Sequence, residues 1–460
     1  MFSRSTLSLA LITAIAALAG GCNGSSPVVP ADAGLADAPG EGSPAADTRA
    51  AGDTGGATAD AGPVVLDPGI ISSASPYGEH EPTVAVTSDG RVAVAWVAGV
   101  SSGFQIRYRI STDRGVTFAP EADIPMPAGT NICSNSSMAV DQAGGIRLAY
   151  GCEKVSASGT RSNVQVLVAS STKGSTTFGD GVMVTDPTQT VDAYDQPRVA
   201  VIGTGSLLVT YSHFSTTNSQ EIAAWSDDGL TWTRTPILGN RVATDQNMAR
   251  IYASPTDARV WVAILLDTNH DVRLCRSPDG GRTWPEADQH NLAQPAGHLS
   301  LDLAITGEGK DLWVLHGRTG DVPSRRNNIK LDQVQLVHSG DGGDTFDAPV
   351  SIDDAAVGKY LMLANVVRDN RGGLNLTYYA GAEPGDKAAS YRRRRSTDGG
   401  KSFGPSLVVH QPLTFDVSRG SATWLGDYEG VAAAEGHLYL SYVDSSGSKA
   451  RVAFYRTSLP

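Results

Sequence analysis

The sequence is short of basic charge, with 36 Lys and Arg against 48 Asp and Glu in 460 residues. A net charge of −12, a pI near 5.2 and no basic block exclude the electrostatic footprint of a nucleic-acid binder. Cysteine is scarce too: the four present, and His80, His213, His298 and His316, do not stand at zinc-ligand spacing, so no metal is expected. Neither a phosphate loop, a Ser-His-Asp signature nor a dinucleotide fingerprint is found, so no cofactor is expected either. Long helical periodicity is missing. No hydrophobic run reaches the roughly 20 residues that span a bilayer as a helix.

What is present begins with an export signal. Arg4 gives a positive start, and Leu7 to Ala19 is an apolar run broken only by Ser8 and Thr13. That run is too short to span and reads as a signal peptide. It ends in Leu18-Ala19-Gly20-Gly21-Cys22, which resembles a bacterial lipobox, although the residue three before the cysteine is Ala19 where the motif has Leu. The resemblance implies residues 1–22 as a lipoprotein signal, lipid on the Cys22 thiol, and an envelope protein at the outer membrane or cell surface. The alternative is ordinary signal cleavage with an incidental cysteine. Residues 23–63 hold no aromatic side chain and six acids against the single Arg49. Such a segment buries too little apolar surface to offset its ordering entropy, so it is expected to be a disordered tether. The membrane is therefore met through the lipid alone. Residues 64–460 remain as one folded domain, expected to be a monomer.

That domain repeats itself. Ser277-Pro-Asp-Gly-Gly-Arg-Thr-Trp284, Ser339-Gly-Asp-Gly-Gly-Asp-Thr-Phe346 and Ser396-Thr-Asp-Gly-Gly-Lys-Ser-Phe403 read alike, and Ser111-Thr-Asp-Arg-Gly-Val-Thr-Phe118 keeps the key positions. Two copies are degenerate: Trp225-Ser-Asp-Asp-Gly-Leu-Thr-Trp232, and Ser171-Thr-Lys-Gly-Ser-Thr-Thr-Phe178, which has no Asp. Starts at 111, 171, 225, 277, 339 and 396 give intervals of 60, 54, 52, 62 and 57 residues. Each position has a physical role. The carboxylates of Asp113, Asp227, Asp279, Asp341 and Asp398 are suited to accept turn N–H groups and the Ser hydroxyl. The Gly permits positive φ, and the aromatic is placed to tuck between sheets. With one or two carboxylates per copy, a calcium loop is not supported. The boxes read as structural.

Strand patterns precede each box. Pro82–Val86, Arg91–Trp96 and Gln105–Ile110 lead into the first, and Leu207–Tyr211, Val260–Ile264 and Leu374–Tyr378 are matching second strands farther on. With the strand after the box, each unit is a four-stranded meander, the blade of a propeller. A seventh unit (430–433, 438–442, 451–455) has three strands and no box. The segment from Val64-Val-Leu66 to Ile70-Ile71 is expected to supply its outer strand and close the ring. The fold class is thus all-β, a propeller with seven blades favoured over six. Cys133 and Cys152 flank a hairpin turning at 142–145, so a disulfide is expected, with Cys275 left as a buried thiol.

The boxes resemble the Asp-box repeats of sialidase-like propellers, over roughly residues 64–460. The segment Trp424-Leu-Gly-Asp-Tyr-Glu-Gly430 resembles one in bacterial proteins labelled exo-sialidase-like. The resemblance implies an exo-glycosidase or a glycan-recognising relative, with fold more specific than function. Sialidases clamp the substrate carboxylate with three arginines, the first in a Phe/Tyr-Arg-Ile-Pro motif on the first inner strand. Here that strand begins His80-Glu81-Pro82-Thr83, and Tyr108-Arg109-Ile110-Ser111 leads into a box instead.

In a propeller the ligand face lies opposite the boxes. Segments leading into the inner strands carry Glu79-His80-Glu81, Asp192 with Tyr194-Asp195-Gln196, Asp245-Gln246-Asn247 and Asp427-Tyr428-Glu429. They read either as a ring of carboxylates, amides and tyrosines for sugar hydroxyls or a cation, or as polar groups satisfying backbone at strand starts. Arg198, Arg250, Arg318, Arg325 and Arg326 are placed to reach the same face, whereas Arg392–Arg395 read as a solvated edge. Tyr428 between Asp427 and Glu429 is the candidate nucleophile with its carboxylates, and Glu81, Asp195, Arg198, Arg250 and Trp424 are candidate ligand contacts. The leading expectation is a surface lipoprotein recognising a glycan or small-molecule ligand. An exo-sialidase-like hydrolase of acidic sugars and a protein-binding envelope scaffold are the alternatives.

Overall fold

The computed structural model describes residues 64–65 and 69–459, apart from 188–192, 215–218, 240–245, 267–270, 294–301, 319–332, 353–359, 384 and 419–420. The signal segment 1–22 with Cys22, the tether 23–63, Asp192, Asp245, His298, Arg325 and Arg326 lie outside the described residues, as do the side chains of Gln246, Asn247 and Arg318.

Seven four-stranded antiparallel sheets follow one another along the chain. Their inner strands are Glu79–Val86, Ile132–Val140, Ala193–Val201, Gln246–Ala253, Leu303–Glu308, Tyr360–Arg368 and Gly430–Ala434. Each inner strand packs beside the next, and the seventh meets the first, so the sheets form a closed seven-bladed propeller. Second strands are sandwiched between neighbouring blades. Every residue from Val92 to Ala98 is fully buried, which explains an apolar run in place of alternation. The core therefore lies between blades. Ala149, Val166 and Val168 of blade 2 pack on Val209, Tyr211 and Trp232 of blade 3, for example.

The box turns link third to fourth strands. In the first, Asp113 Oδ1 accepts from Ser111 Oγ at 2.7 Å and from Thr117 N at 2.8 Å, and Oδ2 accepts from Thr117 Oγ1 at 2.6 Å. Asp279, Asp341 and Asp398 repeat the pattern. Gly281 shows why glycine is needed: its φ is +84°, and a Cβ there would meet Leu208 Cδ1 at 2.6 Å. Two boxes also bind the preceding blade, where Trp261 Nε1 donates to Gly342 O at 2.8 Å and Trp313 Nε1 to Gly399 O at 2.9 Å.

The third-blade box differs from expectation. Its turn carboxylate is Asp228, not Asp227: Asp228 accepts from Ser226 Oγ, Leu230 N, Thr231 N and Thr231 Oγ1. The loop is one residue shorter than in the regular copies, so the leading serine is Ser226 and the spacing shifts. Asp227 instead accepts from Ser206 Oγ and Arg282 Nη2. The arginine run 392–395 also departs from a solvated edge. Arg394 donates to Gly404 O and Phe403 O, and Arg395 to the Asp369 carboxylate.

Gly69–Ile70 is the outer strand of blade 7, pairing with Phe454 and Ala453. Val64–Val65 does not join it, and pairs with Phe118 and Thr117 of blade 1. Ser72 continues the seam by receiving Val452 N on its hydroxyl at 3.0 Å. Cys133 and Cys152 are paired partners across the first two strands of blade 2, with Cα atoms 4.2 Å apart, and form a disulfide. Cys275 is a buried thiol whose pKa is pushed up to about 12 by burial.

Glu79 sits on this seam, fully buried, with Arg107 Nη1 4.0 Å from Oε1. Burial, with a smaller repulsion from Glu121, raises its pKa from 4.5 to about 7, against the nearby Ser72 hydroxyl and the Arg451 and Arg107 charges, which lower it. A raised carboxyl pKa favours the folded state most at low pH. Its contribution is full below about pH 4.5 and is lost as pH rises through 7. The shift corresponds to about 3 kcal/mol. Glu79→Gln should match wild type in stability near pH 4 and exceed it by roughly 1–3 kcal/mol at pH 8 in urea unfolding. A difference that stays constant with pH would contradict this.

Candidate ligand site on the open face

The boxes and the candidate residues occupy opposite ends of the blades. In blade 1, Ser111 at the box pairs with Val92, whereas Glu79 pairs with Ala98 at the far end. Glu79–Glu81, Tyr194–Gln196 and Gln246–Asn247 lie within inner strands, whereas Trp424 and Asp427–Glu429 lie in the segment just ahead of Gly430–Ala434. Five of these strands carry a register shift at a non-glycine residue with positive φ: Glu81 (55°), Asn135 (55°), Gln196 (48°), Met248 (69°) and Leu363 (54°). A bulge re-aims the side chains around it, and repeated left-handed residues at one level are backbone strain concentrated at a site. Nothing in the residue types announced it.

Among the described residues, the bulged ends of the inner strands border a cleft and an axial cavity. A cleft of about 470 Å³ opens between blades 1, 2, 3 and 7, and its lining includes His80, Phe104, Glu81, Glu153, Asp195, Trp424 and Asp427. A second cavity of about 200 Å³ lies on the axis, bordered by Arg198, Arg250, Asp427, Tyr428 and Glu429. Asp427 borders both. The structure thus separates the expected contacts: Glu81, Asp195 and Trp424 belong to the cleft, Arg198 and Arg250 to the axis.

The cleft is built on an aromatic pair. Trp424 and His80 lie with ring centroids 4.7 Å apart, and Phe104 meets His80 edge-on at 5.6 Å. Asp416 shapes the segment that presents Trp424, accepting from Ser421 Oγ and from Thr423 Oγ1 at 2.6 Å. Gly426, at φ +88°, lets that segment approach blade 1, since a Cβ would lie 3.0 Å from Glu81 N. Around the aromatics stand carboxyl groups in different settings. Asp195 is partly exposed and accepts its neighbour Gln196 N at 2.8 Å. Glu153 accepts from Arg161 Nη2 at 2.6 Å, and burial, with a smaller repulsion from Asp195, raises its pKa while Arg161 lowers it. Among the described residues, Arg161 is the arginine lining the cleft. The guanidinium clamp of a sialidase is not assembled there.

Nor do the three expected catalytic residues act together. Along an extended chain, successive side chains point to opposite sides, so Glu429 and Tyr428 diverge. Glu429 Oε1 accepts from Thr377 Oγ1 at 2.6 Å between blades 6 and 7, and burial raises its pKa well above the usual range. Tyr428 accepts Ser136 N on its hydroxyl at 2.7 Å, with the Arg198 guanidinium 4.2 Å from its ring centroid. Burial, reinforced by Glu81, pushes its pKa well above 10, against Arg198. Burial thus favours the neutral phenol, and its oxygen is engaged by the Ser136 amide. Tyr428→Phe should therefore lower stability by about 1–2 kcal/mol, the cost of an unsatisfied buried N–H, and leave ligand binding in the cleft unchanged. Unchanged stability with lost turnover on glycosides would restore the nucleophile.

Comparison with known proteins adds context. No family model and no curated protein matches the chain. Among solved structures it is similar to a Hadza microbial sialidase (14% identity, TM-score 0.47), covering 83% of this chain and 66% of that one. It is also similar to the intramolecular trans-sialidase of Ruminococcus gnavus in complex with oseltamivir carboxylate (15%, TM-score 0.47, covering 88% and 98%). A third is the alpha-L-arabinanase of Penicillium chrysogenum complexed with arabinobiose (11%, TM-score 0.49, covering 86% and 99%).

Proposed function

We propose that the protein is a lipid-anchored envelope protein that recognises a glycan in the cleft between blades 1, 2, 3 and 7. The observation that carries this reading is the Trp424–His80 pair beside Asp195, Glu81 and Asp427. An amphipathic aromatic surface receives the C–H face of a sugar ring, while carboxylates accept its hydroxyl donors. The cleft volume of about 470 Å³ lies within the range of small-ligand sites. Its carboxyl-rich lining favours neutral sugars over acidic ones, because an added carboxylate would face like charge. The signal and lipobox at Cys22 support export and anchoring, and no helix among the described residues is long and apolar enough to cross a membrane.

Hydrolysis is the second reading, favoured by one observation. Glu153 and Asp195 share the cleft and interact electrostatically, Glu153 being largely shielded, with a raised pKa and an ion pair to Arg161, and Asp195 partly exposed. Carboxyl groups held in contrasting environments are the arrangement that glycoside hydrolysis uses for acid and base.

Titration of the protein with neutral and sialylated oligosaccharides by calorimetry tests the reading. Trp424→Ala and Asp195→Asn should each weaken binding of a neutral oligosaccharide about tenfold or more, corresponding to roughly 1.4 kcal/mol. Preference for sialylated ligands, or binding insensitive to both changes, would overturn it. Turnover of a fluorogenic glycoside abolished by Glu153→Gln would establish the hydrolase instead.

A further inference from the structure

The axial cavity poses an electrostatic problem separate from the cleft. Arg198 enters it from blade 3 and Arg250 from blade 4. Both donate to one acceptor: Arg198 Nη2 lies 3.1 Å and Arg250 Nη1 3.2 Å from Gln196 Oε1. To backbone, Arg198 Nη1 donates to Ser136 O at 3.4 Å and Arg250 Nη1 to Ala249 O at 3.0 Å. Arg198 also lies over the Tyr428 ring and close to its hydroxyl. Among the described residues, Arg198 Nε is buried and has no hydrogen-bond partner, so part of the donor set of a guanidinium is left open beside the cavity.

Carboxylates are near but do not pair with these cations. Among the described residues, none lies within 4.0 Å of either guanidinium. Glu81 and Asp195 act on Arg198 from farther away, and Asp427 and Glu221 on Arg250. Glu221 is engaged by the Ser212 hydroxyl and Asp195 by Gln196 N. Burial, joined by repulsion from Arg198, holds the Arg250 pKa well below its ordinary value. Two like charges sharing one neutral amide in a partly buried cavity are costly unless an opposite charge joins them.

We propose that the axial cavity is an anion site, in which a small monovalent anion, a halide or a carboxylate of formate size, bridges Arg198 and Arg250. The cavity of about 200 Å³ has room for such an ion and little more than a small molecule. Gln196, whose φ of 48° fixes it on the inner-strand bulge, holds the two cations at a common distance from one side, and the ion binds from the other.

The test is thermal unfolding of the whole protein at fixed pH and ionic strength, with chloride, bromide, formate or acetate replacing bulky gluconate. The site predicts a saturable rise in midpoint, roughly 3 °C at a hundredfold excess over Kd. Gln196→Glu sets a carboxylate at the shared acceptor position. It should raise the midpoint in gluconate and abolish the response to small anions. Arg250→Gln, which removes one of the two charges, should abolish it too. If Arg250→Gln does not fold, Gln196→Glu decides. A response to halides assigns the site to an inorganic ion, and one confined to formate and acetate to a carboxylate ligand. Equal midpoints in all salts, or a Gln196→Glu protein that responds as wild type does, would overturn the site.

Discussion

A four-stranded sheet with two apolar faces cannot bury both by itself, and each blade meets that constraint by packing between two others. Only a closed ring satisfies all seven. The burial of Val92–Ala98 and the clusters shared by successive blades are its direct expression. The constraint is most severe where the chain must join its own end. There Gly69–Ile70 completes the sheet of Arg451–Ser458, and Ile71 packs with Trp96, Tyr439 and Phe454 across blades 1 and 7. The buried carboxyl of Glu79 occupies that same seam.

Ring closure also makes the site. Seven inner strands begin at one face and converge there, so side chains far apart in sequence become neighbours. Trp424 from the segment before blade 7 reaches His80 of blade 1, and Arg250 of blade 4 shares an acceptor with Arg198 of blade 3. The bulges decide how this convergence is divided. By re-aiming residues around Glu81, Asn135 and Gln196, they separate an aromatic, carboxyl-rich cleft from an arginine-bearing axial cavity, with Asp427 common to both.

The blades were legible because the boxes recur at nearly constant spacing and each position has a fixed backbone role. Where the copy was a residue short, the same reading placed the turn carboxylate on Asp227, and the hydrogen bonds put it on Asp228. The seventh blade's missing strand was legible by elimination, but its registration was not, since Val64–Val65 pairs with blade 1 instead. The polar and aromatic residues of the open face were readable as neighbours in the fold, but their arrangement was not. Tyr428 and Glu429 are adjacent in sequence, yet alternation along extended chain sends one to Ser136 and the other to Thr377. The bulges left no sequence signal, because Glu, Asn, Gln, Met and Leu at positive φ share no residue type.

Sugar recognition in the cleft is the central functional claim, and its location is what the structure adds to the resemblance seen in the boxes. Amide hydrogen exchange with and without a saturating neutral oligosaccharide measures that location directly. The account predicts new protection confined to segments around 79–82, 101–104, 134–136 and 421–427, which border the cleft, with the box turns unchanged. Protection appearing at the box turns, or nowhere on the open face while binding is saturated, would contradict it.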